Sequence, residues 1–140
     1  MKTIGIVTVG RSDYGILLPI IRSIQADPSL NLRLIVGGMH LSPQFGLTVR
    51  QIEADGLKID ERVVMGLSSD TPDSIAISMG VGVIGFSHAY SNLSPDLLVV
   101  IGDRFEVYLA GCGLNFERKR FIFEIGPPKV LQRSALLYNN

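Results

Sequence analysis

Asp103 and Arg104 stand side by side after the apolar run Leu97-Leu98-Val99-Val100-Ile101-Gly102, with Glu106 close behind. A buried parallel strand reads as such a run, and it delivers the next side chains to the sheet rim where α/β folds bind ligands. A carboxylate at that mouth has low dielectric on one side and water on the other, which tunes it as a general acid or base. The neighbouring guanidinium is a forked donor for oxyanions. Together they suit an anionic substrate whose chemistry requires proton transfer. A structural role is the alternative: Asp103 caps the following helix and Arg104 pairs with a surface acid. Glu106, one turn on, either orients Arg104 or sits where a helix N-terminus favours acids.

A second polar group lies in Gly10-Arg11-Ser12-Asp13-Tyr14-Gly15. Backbone N–H groups at a helix start attract anions, and Arg11 adds charge there. The spacing is neither Gly-x-Gly-x-x-Gly nor a P-loop. Arg11 and Asp13 therefore make a phosphate site or, equally simply, a turn salt bridge and a helix cap. His40 follows two glycines in Gly37-Gly38-Met39-His40. It is a loop residue with ordinary hydrogen bonds, or a catalytic group brought to the same rim. His88 falls in a helical stretch and reads as structural or exposed. Cys112 is the one cysteine, which excludes an intrachain disulfide; an apolar helix makes it a buried structural thiol.

The elements that position these residues follow from periodicity. Residues 3–9 read as a buried strand, 10–15 as a turn and 16–26 as a helix, with Pro19 tolerable only in its first turn. Asp27-Pro28 ends that helix. Residues 30–36 read as a second strand, 39–43 as a loop, 49–54 as a short helix closed by Asp55-Gly56, and 57–64 as a strand near a sheet edge. Residues 73–93 read as a long helix containing Gly80, Gly82 and Gly85, small enough to lie close to the sheet or to a partner. Ser94-Pro95-Asp96 ends it. A strand to Ile101, a helix over 107–116 and a fifth strand over 121–125 complete the pattern. Alternation of strand and helix predicts an α/β fold: a Rossmann-like parallel sheet with right-handed crossovers and helices on both faces.

Bulk composition sets the outer limits. With 140 residues, 46% of them apolar and 19% charged, one globular domain with a real core is expected. Lys plus Arg and Asp plus Glu both number 13, so no overall charge recommends nucleic acid or a membrane surface as partner. No segment has the roughly 18 apolar residues of a membrane span. The apolar start at Ile4 to Val9 is too brief for a signal-peptide core, and a cytoplasmic protein is expected.

Taken in order, Gly10-Arg11-Ser12-Asp13-Tyr14-Gly15, Met39-His40-Leu41-Ser42, Phe45-Gly46-Leu47-Thr48 with Ile52 and Asp55-Gly56, Ser94-Pro95-Asp96, and Gly102-Asp103-Arg104-Phe105-Glu106 resemble the hydrolysing UDP-N-acetylglucosamine 2-epimerases. The resemblance runs from about residue 3 to about residue 113. It implies the N-terminal half of a two-domain, glycosyltransferase-B-like architecture, with residues 1–126 as the half-domain and 127–140 as a divergent tail. It implies UDP-N-acetylglucosamine or UDP as the small-molecule partner, and the reaction of that sugar nucleotide with water to N-acetylmannosamine and UDP. Arg11, Asp13 and Arg104 would bind substrate, and Asp103 and His40 would be catalytic. The chemistry asks for no metal and no nicotinamide cofactor. Family members are more than twice as long, with the active site between two domains. Past residue 113 the pattern changes, and Glu124 is the one nearby carboxylate available as a second acid–base group. A truncation or frameshift near residues 114 to 118 is the expectation, with an isolated chain that turns over little substrate. Apolar surface left where the second domain would pack leads to an expected homo-oligomer.

Overall fold

The computed structural model describes residues 1–66 and 71–101, and the main chain of 120–124. Strand β1 (Lys2–Thr8) leads into helix α1 (Arg11–Ala26); β2 (Leu30–Gly37) is followed by two 3₁₀ turns, Gly38–Leu41 and Pro43–Phe45. Helix α2 (Val49–Ala54), strand β3 (Glu61–Val63), helix α3 (Pro72–Leu93), and strands β4 (Leu97–Ile101) and β5 (Arg120–Glu124) follow. All strand pairs are parallel, in the order β3-β2-β1-β4-β5. The strand order reverses between β1 and β4, which makes their carboxyl ends the topological switch point.

Alternate residues of the sheet feed two cores. Ile4, Ile6, Leu34, Val36, Val99 and Ile101 pack with Leu17, Ile21 and Ile24 of α1 and Val49 and Ile52 of α2. Val7, Val9, Ile35, Leu98 and Val100 face the other way, onto Phe86, Ala89 and Tyr90 of α3. This period-two partition is why β4 and the inner part of β1, Ile4 to Val7, read as apolar runs: both faces are covered. Gly5 lets β1 meet the turn before β4, since a Cβ there would lie 2.9 Å from Leu98 Cδ1 and 3.1 Å from Pro95 Cβ. Asp96 locks that junction, accepting from the Thr3 amide at 2.7 Å and donating its own amide to the Thr3 carbonyl at 2.8 Å.

Several elements differ from the sequence reading. Residues 10–15 are no turn: α1 begins at Arg11 directly after an extended Gly10, and the Tyr14 amide already bonds the Gly10 carbonyl at 3.1 Å. Pro19 consequently lies well inside α1 rather than in its first turn. Its ring removes one ladder donor, while Ser23 Oγ donates back to the Pro19 carbonyl at 3.0 Å. The loop at 39–43 is wound into 3₁₀ turns. β3 is only three residues long because Asp60 intervenes. Its carboxylate accepts from the Leu34 amide at 2.9 Å and from Arg33 Nη1 at 3.0 Å, doing with a side chain what a longer strand would do with its backbone. β3 does form a sheet edge, as expected. α3 starts cleanly, with Thr71 Oγ1 accepting from the Ser74 amide and Pro72 in the first turn. The expected helix over 107–116, Cys112 and the boundary at 126/127 lie outside the described residues.

Candidate functional site

Three chain crossings meet at the carboxyl edge of the sheet. β1 gives way to Val9, Gly10 and the N-terminus of α1; β2 to the Gly38–Leu41 turn; β4 ends in register with Val7's neighbours on β1. The Met39 amide bonds the Val9 carbonyl at 2.9 Å, drawing the first two crossings together. Ile101, the last residue of β4, pairs with Glu124 of β5, so Glu124 stands at that same edge by its main chain. Asp103, Arg104 and Glu106 lie outside the described residues, as does the side chain of Glu124.

His40 is the pivot of this rim, and it is wholly buried. Its Nε2 lies 2.8 Å from Thr8 Oγ1 at the end of β1, and its Nδ1 lies 2.7 Å from Thr48 Oγ1 before α2. Burial lowers its pKa to about 4, with a backbone hydrogen bond to Gly10 acting the other way. It is therefore a neutral imidazole at pH 7, both nitrogens occupied, rather than a solvated loop histidine. The edge of one ring meets the face of the other between His40 and Tyr14, with centroids 6.2 Å apart. His88, by contrast, is exposed on α3.

A second polar tie crosses from α1 to α2. Tyr14 Oη donates to Asp55 Oδ2 at 2.5 Å, and Arg22 Nη2 donates to the Asp55 carbonyl at 2.7 Å. Burial first, then the bond to Asp55, holds the Tyr14 phenol well above its ordinary range, so it stays a donor. Between these ties opens a cleft of about 250 Å³ lined by Arg11, Tyr14, His40, Thr48, Gln51 and Asp55 among others.

Of the residues singled out by sequence, Arg11 and His40 share this cleft. Arg11 is exposed at the first position of α1, where the helix dipole and open N–H groups favour an anion. Asp13 sits in the same first turn but is 5% exposed, turned into the protein. Thr8 and Gln51 carry no signal in the sequence, while Tyr14, Thr48 and Asp55 appear there only as members of the ordered motifs, with no site role, Asp55 also as a helix stop. Its pairing with Tyr14 spans 41 residues, a distance over which no spacing rule operates. Among the described residues, no three His, Cys, Asp or Glu side chains gather as a metal site, and no helix is long and apolar enough to cross a membrane.

Comparison with known proteins adds an independent line. The family model described as UDP-N-acetylglucosamine 2-epimerase matches residues 22–115. The GDP/UDP-N,N'-diacetylbacillosamine 2-epimerase (hydrolyzing) of Campylobacter jejuni is 38% identical over 106 residues, 76% of this chain and 27% of that protein. The polysialic acid biosynthesis protein P7 of Escherichia coli is 30% identical over 131 residues, 94% of this chain and 34% of that protein. In structure, a UDP-GlcNAc 2-epimerase from Neisseria meningitidis bound to UDP-GlcNAc superposes with a TM-score of 0.68 at 13% identity, covering 88% of this chain and 32% of that one. This last likeness is one of fold. The chain thus spans about a third of the length of the curated relatives it matches. With the ordered motifs, the parallel sheet and the matched two-thirds of its length in agreement, this chain belongs to the UDP-N-acetylglucosamine 2-epimerase family.

Proposed function

We propose that this chain supplies the nucleotide-sugar-binding half of a hydrolysing UDP-N-acetylglucosamine 2-epimerase with a two-domain, glycosyltransferase-B-like architecture. Residues 1–126 form the half-domain and 127–140 its tail. The longer unit of which such a half is part would convert UDP-N-acetylglucosamine and water to N-acetylmannosamine and UDP, in sialic-acid-type sugar biosynthesis in the cytoplasm. The observation that carries this reading is the shared cleft of Arg11 and His40 at the carboxyl edge of β1 and β2, in a chain of this family.

The chemistry distributes over the rim as follows. Removal of the C2 proton as UDP leaves C1 gives a glycal, and hydration then returns a proton to the opposite face of C2. Negative charge grows on the departing diphosphate, so cations must wait where it develops. Arg11 at the head of α1 and Arg104, three residues past the last residue of β4 in sequence, take that role, with Asp13 of the first turn of α1 as a further substrate-binding residue. Asp103, two residues past the last residue of β4 in sequence, takes the proton-transfer role, which a carboxylate can fill as general acid or base. His40 takes part as a neutral imidazole. Charging it in its buried setting is costly, so its contribution lies in fixed hydrogen bonds and in orientation. Neither a metal nor a nicotinamide enters these steps.

Calorimetric titration of UDP into the purified chain tests this. We expect measurable binding that Arg11→Ala and Arg104→Ala each weaken about tenfold or more, as loss of a charge-assisted bond does. The isolated chain should release little or no UDP from UDP-N-acetylglucosamine. Binding indifferent to both arginines would remove the phosphate assignment.

A further inference from the structure

Helix α2 is a rod of six residues tied at each end to a side chain from elsewhere in the fold. Thr48, the residue before it, meets His40 Nδ1 through Oγ1 at 2.7 Å. Asp55, the residue after it, accepts from the Tyr14 phenol at 2.5 Å. A helix so short has little stability of its own in water, so its place is set by what it touches. Val49 and Ile52 anchor it in the core, and Arg22 Nη2 reaches the Asp55 carbonyl at 2.7 Å. Apolar anchors keep the rod on the sheet but tolerate small slides along it. A short hydrogen bond between oriented groups does not.

Tyr14 is placed to govern that slide. It is 5% exposed and meets three pieces of the rim at once. Its amide donates to the Gly10 carbonyl at 3.1 Å, its ring lies edge to face with His40, and its hydroxyl takes Asp55. Arg11 and Gly15, on the same helix, line the cleft with it. Phenylalanine would give the same apolar packing and ring contact. Only the hydroxyl joins α1 to the far end of α2, and a buried hydroxyl is costly unless it has such a partner. Once it is lost, the Asp55 end of α2 is free to move, and the motion is felt at the other end, where Thr48 holds His40.

We propose that Tyr14, through its bond to Asp55, is a positioning residue of the cleft: it fixes α2 so that Thr48 holds the His40 ring in one orientation. The consequence for ligand binding rests on the nucleotide-sugar reading of the cleft. The coupling of Tyr14 to His40 through α2 does not.

Imidazole nitrogen NMR of the isotopically labelled whole chain at neutral pH, with UDP calorimetry beside it, tests the proposal. His40 should show a single neutral tautomer, its protonated and bare nitrogens far apart in shift. Tyr14→Phe keeps the ring against His40 and removes the hydroxyl alone. It should draw the two His40 nitrogen shifts together, as tautomer exchange does, and weaken UDP about tenfold, the effect of losing one hydrogen bond. Asp55→Ala should do the same, and because Asp55 is only half-buried it tests the same bond should Tyr14→Phe fail to fold. Asp55→Asn, whose side-chain oxygen still accepts from the phenol, should keep the natural nitrogen pattern. His88, exposed on α3, is the internal control and should not move. The proposal is overturned if Tyr14→Phe and Asp55→Ala leave the His40 nitrogens in place, if they move them with UDP affinity unchanged, or if Asp55→Asn behaves as Asp55→Ala does. A natural chain without UDP affinity would instead remove the nucleotide reading, and the nitrogen shifts alone would then decide the tie.

Discussion

The two faces of the sheet solve different problems. The face under α1 and α2 is cross-linked by polar side chains: Thr8, His40 and Thr48 in one chain of hydrogen bonds, Tyr14, Asp55 and Arg22 in another, and an ion pair between Arg62 and Glu53 beyond them. The face under α3 is held by apolar packing of Phe86, Ala89 and Tyr90, with Asn92 Nδ2 to Glu61 Oε1 at 3.0 Å as an outer polar tie. Packing is tolerant of small shifts, whereas short hydrogen bonds between fixed groups are not. The cleft proposed to hold a diphosphate lies on the first face. A helix that only has to adhere to its sheet lies on the second.

The contrast is broken most severely on α3. Phe86 is completely buried, and two positions earlier Ile84 is mostly in solvent. Phe86→Ala should cost about 3–5 kcal/mol of folding stability by the loss of packing and the cavity it leaves. Ile84→Ala should change monomer stability by no more than about 0.5 kcal/mol. Urea unfolding of both at low protein concentration checks the pair, and equal losses would mean that α3 does not divide into an inner and an outer face as described.

On the other face the next largest effect is a pH dependence. His40 has its pKa lowered from 6.5 to about 4 by burial. Above pH 6.5 it is neutral folded and unfolded, and its contribution is complete. As pH falls from about 6.5 toward about 4, the unfolded chain takes up a proton that the folded chain refuses, so stability declines, by about 3 kcal/mol over the window. Below about 4 both states are protonated and this decline ends. Unfolding free energies from about pH 7.5 to about pH 4 for the natural chain and for His40→Gln measure it. The difference between the two should shrink as the pH falls; a constant difference would mean that His40 is not held neutral by its surroundings.

Much of this fold is legible because parallel strands covered on both sides carry apolar runs, as β4, the inner part of β1 and the Leu34–Val36 end of β2 do; β5, with Glu124, is set one residue earlier than the expected 121–125. The start of α1 was misread because Gly, Arg, Ser and Asp are turn formers; the same residues open a helix when glycine is extended at the cap. β3 is shorter than the expected 57–64: those residues alternate as a strand does, and nothing in that alternation shows a carboxylate taking over the ladder. Arg11 and His40 were visible as residues of the right type after strands, and the parallel topology alone brings such residues to one edge. The bonds that fix them were not visible: Thr8 to His40 spans 32 residues and Tyr14 to Asp55 spans 41.

The central claim is that the carboxyl edge of β1 and β2, and not the α3 face, receives the nucleotide. Amide NMR shifts during a UDP titration of the isotopically labelled chain measure it directly. We expect the largest changes at Gly10 to Gly15 and Gly38 to Leu41, with Ile77 to Ile84 unmoved. Saturating UDP that leaves the amides of Arg11 and His40 where they were, or moves those of α3 most, would contradict it.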